Sequence, residues 1–237
     1  MTHYILVHGA WEGSWSWDLI QPTLEKAGHR VTTVDLPGSP GNERDIVQIT
    51  MASYVDAVVN AITDLDHKII LVGHSLAGAI ISQVAERIPE KIERLIYVTA
   101  FLLENGDSIL EAMQRDPDGE FLSKLNFSDN QDYATADEQT WRDIAFHDVK
   151  ENRILDALSM VDGTRQATEP FMAKTSVSKE RFGSVPKAYI RTAIDKMVSP
   201  KLQDEMLANW KVDQVHTLQS GHFPTLSLPE TLAELML

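Results

Sequence analysis

Short runs of apolar, β-branched residues alternate with longer amphipathic stretches along most of this chain, and that alternation limits what it can fold into. Residues 4–8, 30–35, 68–72 and 92–99 read as strands. Between them, residues 17–27, 53–65 and 77–88 carry apolar side chains at helical spacing, as in Val55, Val58, Val59 and Ile62. Gly28 and Pro89 supply stops. Strands that are apolar throughout need cover on both faces, and helices between consecutive strands provide it. The pattern therefore predicts an α/β fold with a mostly parallel sheet of about six strands.

The rhythm breaks from residue 104 to residue 184. That stretch is rich in charged residues, Asn, Ser and Asp, shows no strong strand, and holds short helical patterns such as 141–146 and 152–160. The alternation resumes with a strand at 187–192, a helix at 201–209, a strand at 212–218 and a helix at 229–236. The simplest organisation is a core made of residues 1–103 and 185–237, interrupted by an inserted helical cap, 104–184.

Composition removes several classes. The 237 residues include no cysteine, which excludes disulfides, thiolate metal sites and a cysteine nucleophile. A net charge of −14 argues against nucleic acid or an anionic membrane surface as partner. No apolar run approaches the ~20 residues of a membrane helix. The N-terminus runs straight into Tyr4-Ile5-Leu6-Val7 without a basic and apolar leader, so the expected location is cytoplasmic.

One stretch carries chemistry. The apolar run Ile69-Ile70-Leu71-Val72 leads into Gly73-His74-Ser75-Leu76-Ala77-Gly78, and an amphipathic helix follows at once. A serine between a strand and a helix, flanked by small residues, is the pattern of a nucleophile elbow. The turn must be tight and strained to lift the hydroxyl above the sheet edge, and small neighbours let strand and helix pass closely. Ala77 stands where glycine is usual, with Gly78 beside it. The bland alternative is a strand–helix turn rich in small residues.

A serine needs a base, and the base needs an orienting acid. After Ser75 the histidines are His147, in the expected cap, His216, inside a strand pattern, and His222, which follows Ser220-Gly221 after the last strand. His222 is the expected base. Asp195, three residues beyond the strand 187–192, is the preferred acid, with Asp107 as its rival. Two backbone donors must face the developing oxyanion. The Leu76 N–H at the helix start is one. Ala10, in the loop His8-Gly9-Ala10-Trp11, is the choice for the other, and His8 orients that loop if it plays no larger part. Gly9, Trp11, Phe101, Trp141 and Phe223 are candidates for the substrate pocket, although core packing explains the aromatic ones equally well. Leu102, Phe121 and Phe171 are further apolar candidates. No histidine or carboxylate spacing suggests a metal. The absence of a phosphate-binding glycine motif points to no nucleotide, so no cofactor is expected.

These pieces together resemble the α/β-hydrolase superfamily, and within it the plant methylesterase and hydroxynitrile lyase group with its bacterial relatives. The resemblance rests on Val7-His8-Gly9-Ala10, Trp15-Ser16-Trp17, Ala27-Gly28-His29, Val34-Asp35-Leu36, Ile70 to Leu76, Glu180 to Val185, Asp195-Lys196 and Gly221-His222. It implies Ser75, Asp195 and His222 as nucleophile, acid and base, with Ala10 and Leu76 as oxyanion donors, and so favours Asp195 over Asp107. Lyases of the group carry a threonine at the position of Gly9 and a lysine after the histidine; here Phe223 follows His222. The expectation is therefore a serine hydrolase of small carboxylic esters. A hydroxynitrile lyase or other carbon–carbon cleaving enzyme is the alternative, and a non-catalytic small-molecule receptor a more distant one. The oligomeric state stays open, a homodimer being common among such relatives.

Overall fold

In the computed structural model, which describes residues 1–237, strand β1 (His3–Val7) is buried at all five positions. Its side chains alternate between two cores. Ile5 and Val7 join a cluster of 52 buried residues on one face of the sheet, while Tyr4 and Leu6 join a cluster of 15 on the other. A strand with period-two alternation and apolar residues at every position has no solvent face, so it becomes central.

The other core strands are β2 (Arg30–Val34), β3 (Ile69–His74), β4 (Ile92–Val98), β8 (Lys187–Thr192) and β9 (Gln214–Leu218). They form one six-stranded sheet in the order β2-β1-β3-β4-β8-β9, and every neighbouring pair is parallel. The larger core receives helices α2 (Met51–Thr63) and α3 (Ala77–Arg87). The smaller one receives α1 (Gln21–Lys26) and the C-terminal helix Pro229–Met236. Each fully buried large aliphatic or aromatic side chain contributes about 1.5–3 kcal/mol, so both faces are held by burial.

The expected single helix over 17–27 is divided. A 3-10 turn, Ser14–Trp17, precedes α1, where Pro22 lies in the first turn. Proline lacks an N–H and suits that position but not a helix interior. Residues 104–184, expected to be mostly helical with no strong strand, also hold short strands. Alongside helices such as α4 (Ile109–Arg115) and Glu151–Val161 they contain an antiparallel sheet of β5 (Asn126–Phe127), β6 (Tyr133–Thr135) and β7 (Gln166–Ala167). Strands of two or three residues are too short to show periodicity.

The chain moves outward from β1 to β2, then crosses back so that β3 lies on the other side of β1. Parallel α/β sheets leave a crevice at the carboxyl ends of the strands where the order reverses. The loops leaving β1 and β3 there are His8-Gly9-Ala10-Trp11 and Ser75-Leu76.

Candidate active site

Ser75 follows the last residue of β3 and precedes α3 by one residue, with φ at +52°. A non-glycine residue in the left-handed region is strained, and neighbouring bonds hold it there. Its N–H donates to the Val98 carbonyl at 3.2 Å, and its carbonyl accepts from Gly78 and Phe101 N–H, each at 3.0 Å. The need for small residues falls on Gly73 and Gly78. A Cβ on Gly73 would stand 2.9 Å from the Ala77 carbonyl oxygen, and one on Gly78 would stand 2.6 Å from the Phe101 backbone nitrogen. The glycine expected at position 77 is thus displaced by one place.

Ser75 Oγ lies 2.8 Å from His222 Nε2, and His222 Nδ1 lies 2.7 Å from Asp195 Oδ2. The three side chains come from the loops after β3, β9 and β8. Asp195 is buried and fully engaged: Oδ2 also accepts from Thr99 and Thr192 hydroxyls at 2.6 and 3.0 Å, and Oδ1 from Met197 and Val198 N–H at 2.8 and 3.0 Å. Burial alone would raise its pKa. The His222 charge and these hydrogen bonds outweigh burial and hold the carboxyl below the ordinary range. Gly221, beside His222, admits no side chain, because a Cβ would lie 2.6 Å from both His147 Cε1 and Asp148 Oδ1. Its N–H donates to Asp148 Oδ2 at 2.7 Å.

The rivals lie elsewhere. His147 Nδ1 faces the Ile144 carbonyl at 2.9 Å, His216 sits within β9, and Asp107 pairs with Arg115.

The Ala10 and Leu76 backbone N–H groups donate to no protein acceptor. The next amide, Trp11 N–H, donates to Gln166 Oε1 at 3.1 Å. His8 is a neutral imidazole by its partners. Its Nε2 accepts the Leu36 N–H at 3.1 Å, so the proton is on Nδ1, which donates to the Gly9 carbonyl at 2.8 Å. Burial lowers its pKa to match. In a trans peptide the C=O and N–H point in opposite directions, so this bond also orients the Ala10 N–H.

A chamber of about 20 Å³ adjoins Ser75 and His222. Trp11, Phe101, Phe121, Phe171 and Phe223 line it, together with Glu12. Trp141 stands one layer back, against Trp11, Phe121 and Phe146, and does not reach the chamber. Gly9 presents no surface to it, because Glu12 Oε1 fills the space a Gly9 side chain would take. Trp11 and Phe171 also wall a larger cavity of about 370 Å³ with no charged lining residue, built mainly from residues 110–172. Sequence reasoning missed Glu12, whose carboxylate is buried 2.7 Å from His74 Nδ1; nothing in Trp11-Glu12-Gly13 marks that acid for burial. No group of three histidine or carboxylate side chains is placed to hold a metal ion, and no helix is long and apolar enough to cross a membrane.

Comparison with known proteins agrees with this architecture. Methylesterase 1 of Arabidopsis thaliana is 30% identical over 99% of this chain and 94% of its own. Salicylic acid-binding protein 2 of Nicotiana tabacum is 30% identical over 99% of this chain and 95% of its own. The crystal structure of polyneuridine aldehyde esterase superposes with a TM-score of 0.87 at 25% identity, covering 100% of this chain and 98% of that one. The alpha/beta hydrolase family model matches residues 4–235. The chain therefore belongs to the alpha/beta hydrolase family, in the company of hydrolases of the carboxylesterase type.

Proposed function

We propose that this protein is a serine hydrolase of small carboxylic esters, working through Ser75, His222 and Asp195. The observation that carries the reading is the continuous chain from Ser75 Oγ through the His222 ring to Asp195, at 2.8 and 2.7 Å, beside two unengaged amides. His222 Nε2 takes the Ser75 proton as Oγ attacks the ester carbonyl. The oxyanion settles between the Ala10 and Leu76 N–H groups. His222 then protonates the leaving alcohol, and a water activated by the same nitrogen cleaves the acyl-enzyme. Asp195 keeps the imidazole in the required tautomer and stabilises its cationic form. No step needs a metal or organic cofactor.

The chamber beside Ser75 takes the smaller part of the ester. The larger, uncharged part extends past Phe171 under residues 104–184, which act as a cap. Esterase relatives support hydrolysis over cyanohydrin cleavage. Phe223 after His222 supports it too, since an expelled cyanide anion is poorly served by an apolar ring.

Ser75→Ala tests the reading. It should lower p-nitrophenyl acetate turnover by roughly 10⁴-fold or more while the circular dichroism spectrum stays unchanged. A folded Ser75→Ala protein with most of its activity, or faster cyanide release from mandelonitrile than ester cleavage by the native chain, would refute it.

A further inference from the structure

Glu12 and His74 are ionisable groups that ester cleavage does not consume, yet they are 2% and 0% exposed beside the candidate nucleophile. His74 Nδ1 lies 2.7 Å from Glu12 Oε1, and its Nε2 lies 2.7 Å from the backbone carbonyl oxygen of His222. A carbonyl oxygen only accepts, so Nε2 carries a proton. An ionised carboxylate also only accepts, so with Glu12 ionised Nδ1 carries one too and the ring is an imidazolium. Burial opposes both charges, but each sustains the other: the His74 pKa is raised and that of Glu12 is lowered. The titratable groups around the pair are His8, Asp195 and His222, with Asp35 beyond His8.

We propose that Glu12 and His74 are positioning residues for the proposed ester hydrolysis: together they brace the oxyanion loop, the nucleophile turn and the base loop against one another. The inference rests on the serine-hydrolase reading of the site. Glu12 lies two residues after Ala10, His74 immediately precedes Ser75, and the carbonyl that His74 holds belongs to His222 itself. One pair of side chains thus spans the segments leaving β1, β3 and β9. The direct Ser75–His222 hydrogen bond cannot do this work throughout a turnover, because it is lost whenever Oγ is acylated. The bonds made by His74 involve no reacting atom and persist through every step. They are also charge-assisted, and so short and directional. A neutral His74 facing two acceptors would have one proton for two bonds. Glu12 is what allows both to form.

The brace acts through hydrogen bonds, which separates it from a general packing role. In Glu12→Gln the amide can donate to Nδ1 while a neutral His74 keeps its proton on Nε2, so both contacts survive. In Glu12→Leu the contact to the oxyanion loop is lost. With p-nitrophenyl acetate, below each variant's unfolding temperature, Glu12→Leu should lower kcat roughly 10- to 100-fold with KM within about twofold, as expected of a small misplacement of reacting groups. Glu12→Gln should stay within about threefold of native kcat, since the geometry is kept. Nitrogen-15 spectra of the histidine rings provide a readout independent of ester turnover: two ring N–H protons on His74 in the native chain, and one, on Nε2, in Glu12→Gln. A folded Glu12→Leu with native kcat, a Glu12→Gln slowed about tenfold or more, or a native His74 without a proton on Nε2 would each overturn the brace. If Glu12→Leu does not fold, the Glu12→Gln rate and the native spectrum still decide. Native protein that cleaves no ester at all would instead count against the hydrolase reading, and the ring spectra would still report on the pair.

Discussion

His8 Nδ1 donates to the carbonyl of Gly9 at 2.8 Å, and the peptide it grips is the one whose opposite end carries the Ala10 N–H. The direction of a proposed oxyanion donor is therefore set by a buried side chain two residues away. His8→Ala frees that peptide and leaves the Leu36 N–H, bonded to His8 Nε2, without a partner. We expect kcat to fall roughly 10- to 100-fold, less than for outright removal of an oxyanion donor, with KM little changed. The orphaned amide should cost about 1–3 kcal/mol in urea unfolding. An unchanged kcat in folded His8→Ala would show that the loop holds its direction without this bond.

Gly9 raises the question of why a threonine could not stand there. A Cβ at Gly9 would collide with Glu12 Oε1 and come within 3.0 Å of Ser75 Cβ and 3.2 Å of His74 Nδ1. The Glu12 oxygen belongs to a flexible side chain, but it is tied to His74 and cannot yield without breaking that pair. Gly9→Thr should destabilise the protein by about 1–3 kcal/mol, as overpacking does, and should depress ester turnover rather than create cyanohydrin cleavage. Thermal unfolding and cyanide release from mandelonitrile measure the two halves of this expectation. A stable variant with new lyase activity would contradict both.

The parts legible in the sequence were those with a local cause. The run Ile69 to Val72 followed by Gly73-His74-Ser75 announces a strand, a tight turn and a helix within ten residues. His222 and Asp195 follow strand patterns closely, where loops hang over a sheet edge. Glu12 was not legible, because its burial depends on His74, 62 positions away. Of the two readings open for Trp141, pocket wall or packing, the structure shows packing behind the wall, because aromatic content in a segment does not say which layer a ring occupies. Strands β5, β6 and β7 escaped because β7 joins β6 from a pairing partner more than 30 residues distant and two residues carry no period. The demand for glycine at 78 rather than 77 arises from the backbone of Phe101, a contact made only when β4 and its following loop are in place.

The ionised groups at the site predict a pH dependence of stability. Asp195 and Glu12 have folded pKa values below their ordinary 3.8 and 4.5, so their contribution is complete above those ordinary values and is lost as pH falls through the folded ones. His74 has a folded pKa above its ordinary 6.5, so its contribution is complete below 6.5 and is lost as pH rises through the folded value. The stabilisation of the native chain over Glu12→Gln should therefore be greatest between about pH 4.5 and 6.5 and shrink on both sides. Urea midpoints for both proteins across pH 3 to 9 test this. A difference that is flat with pH would mean that the pair is not ionised in the folded state.

Phe171 is the wall most able to give way between the chamber at Ser75 and the larger cavity. Its counterpart Trp11 is fixed at two points, with Nε1 donating to the Ala134 carbonyl at 3.0 Å and its backbone N–H to Gln166. Phe171 is half-buried and meets Trp11 ring to ring, with centroids 5.7 Å apart. Removing its ring joins about 20 Å³ to about 370 Å³ of uncharged space. Phe171→Ala should raise kcat/KM for 2-naphthyl acetate relative to methyl acetate by about tenfold, the scale on which apolar pockets discriminate. The acetyl group and the Ser75 machinery are common to both substrates, so only accommodation of the alcohol part can change that ratio. An unaltered ratio would place the bulky portion of the substrate somewhere other than beyond Phe171.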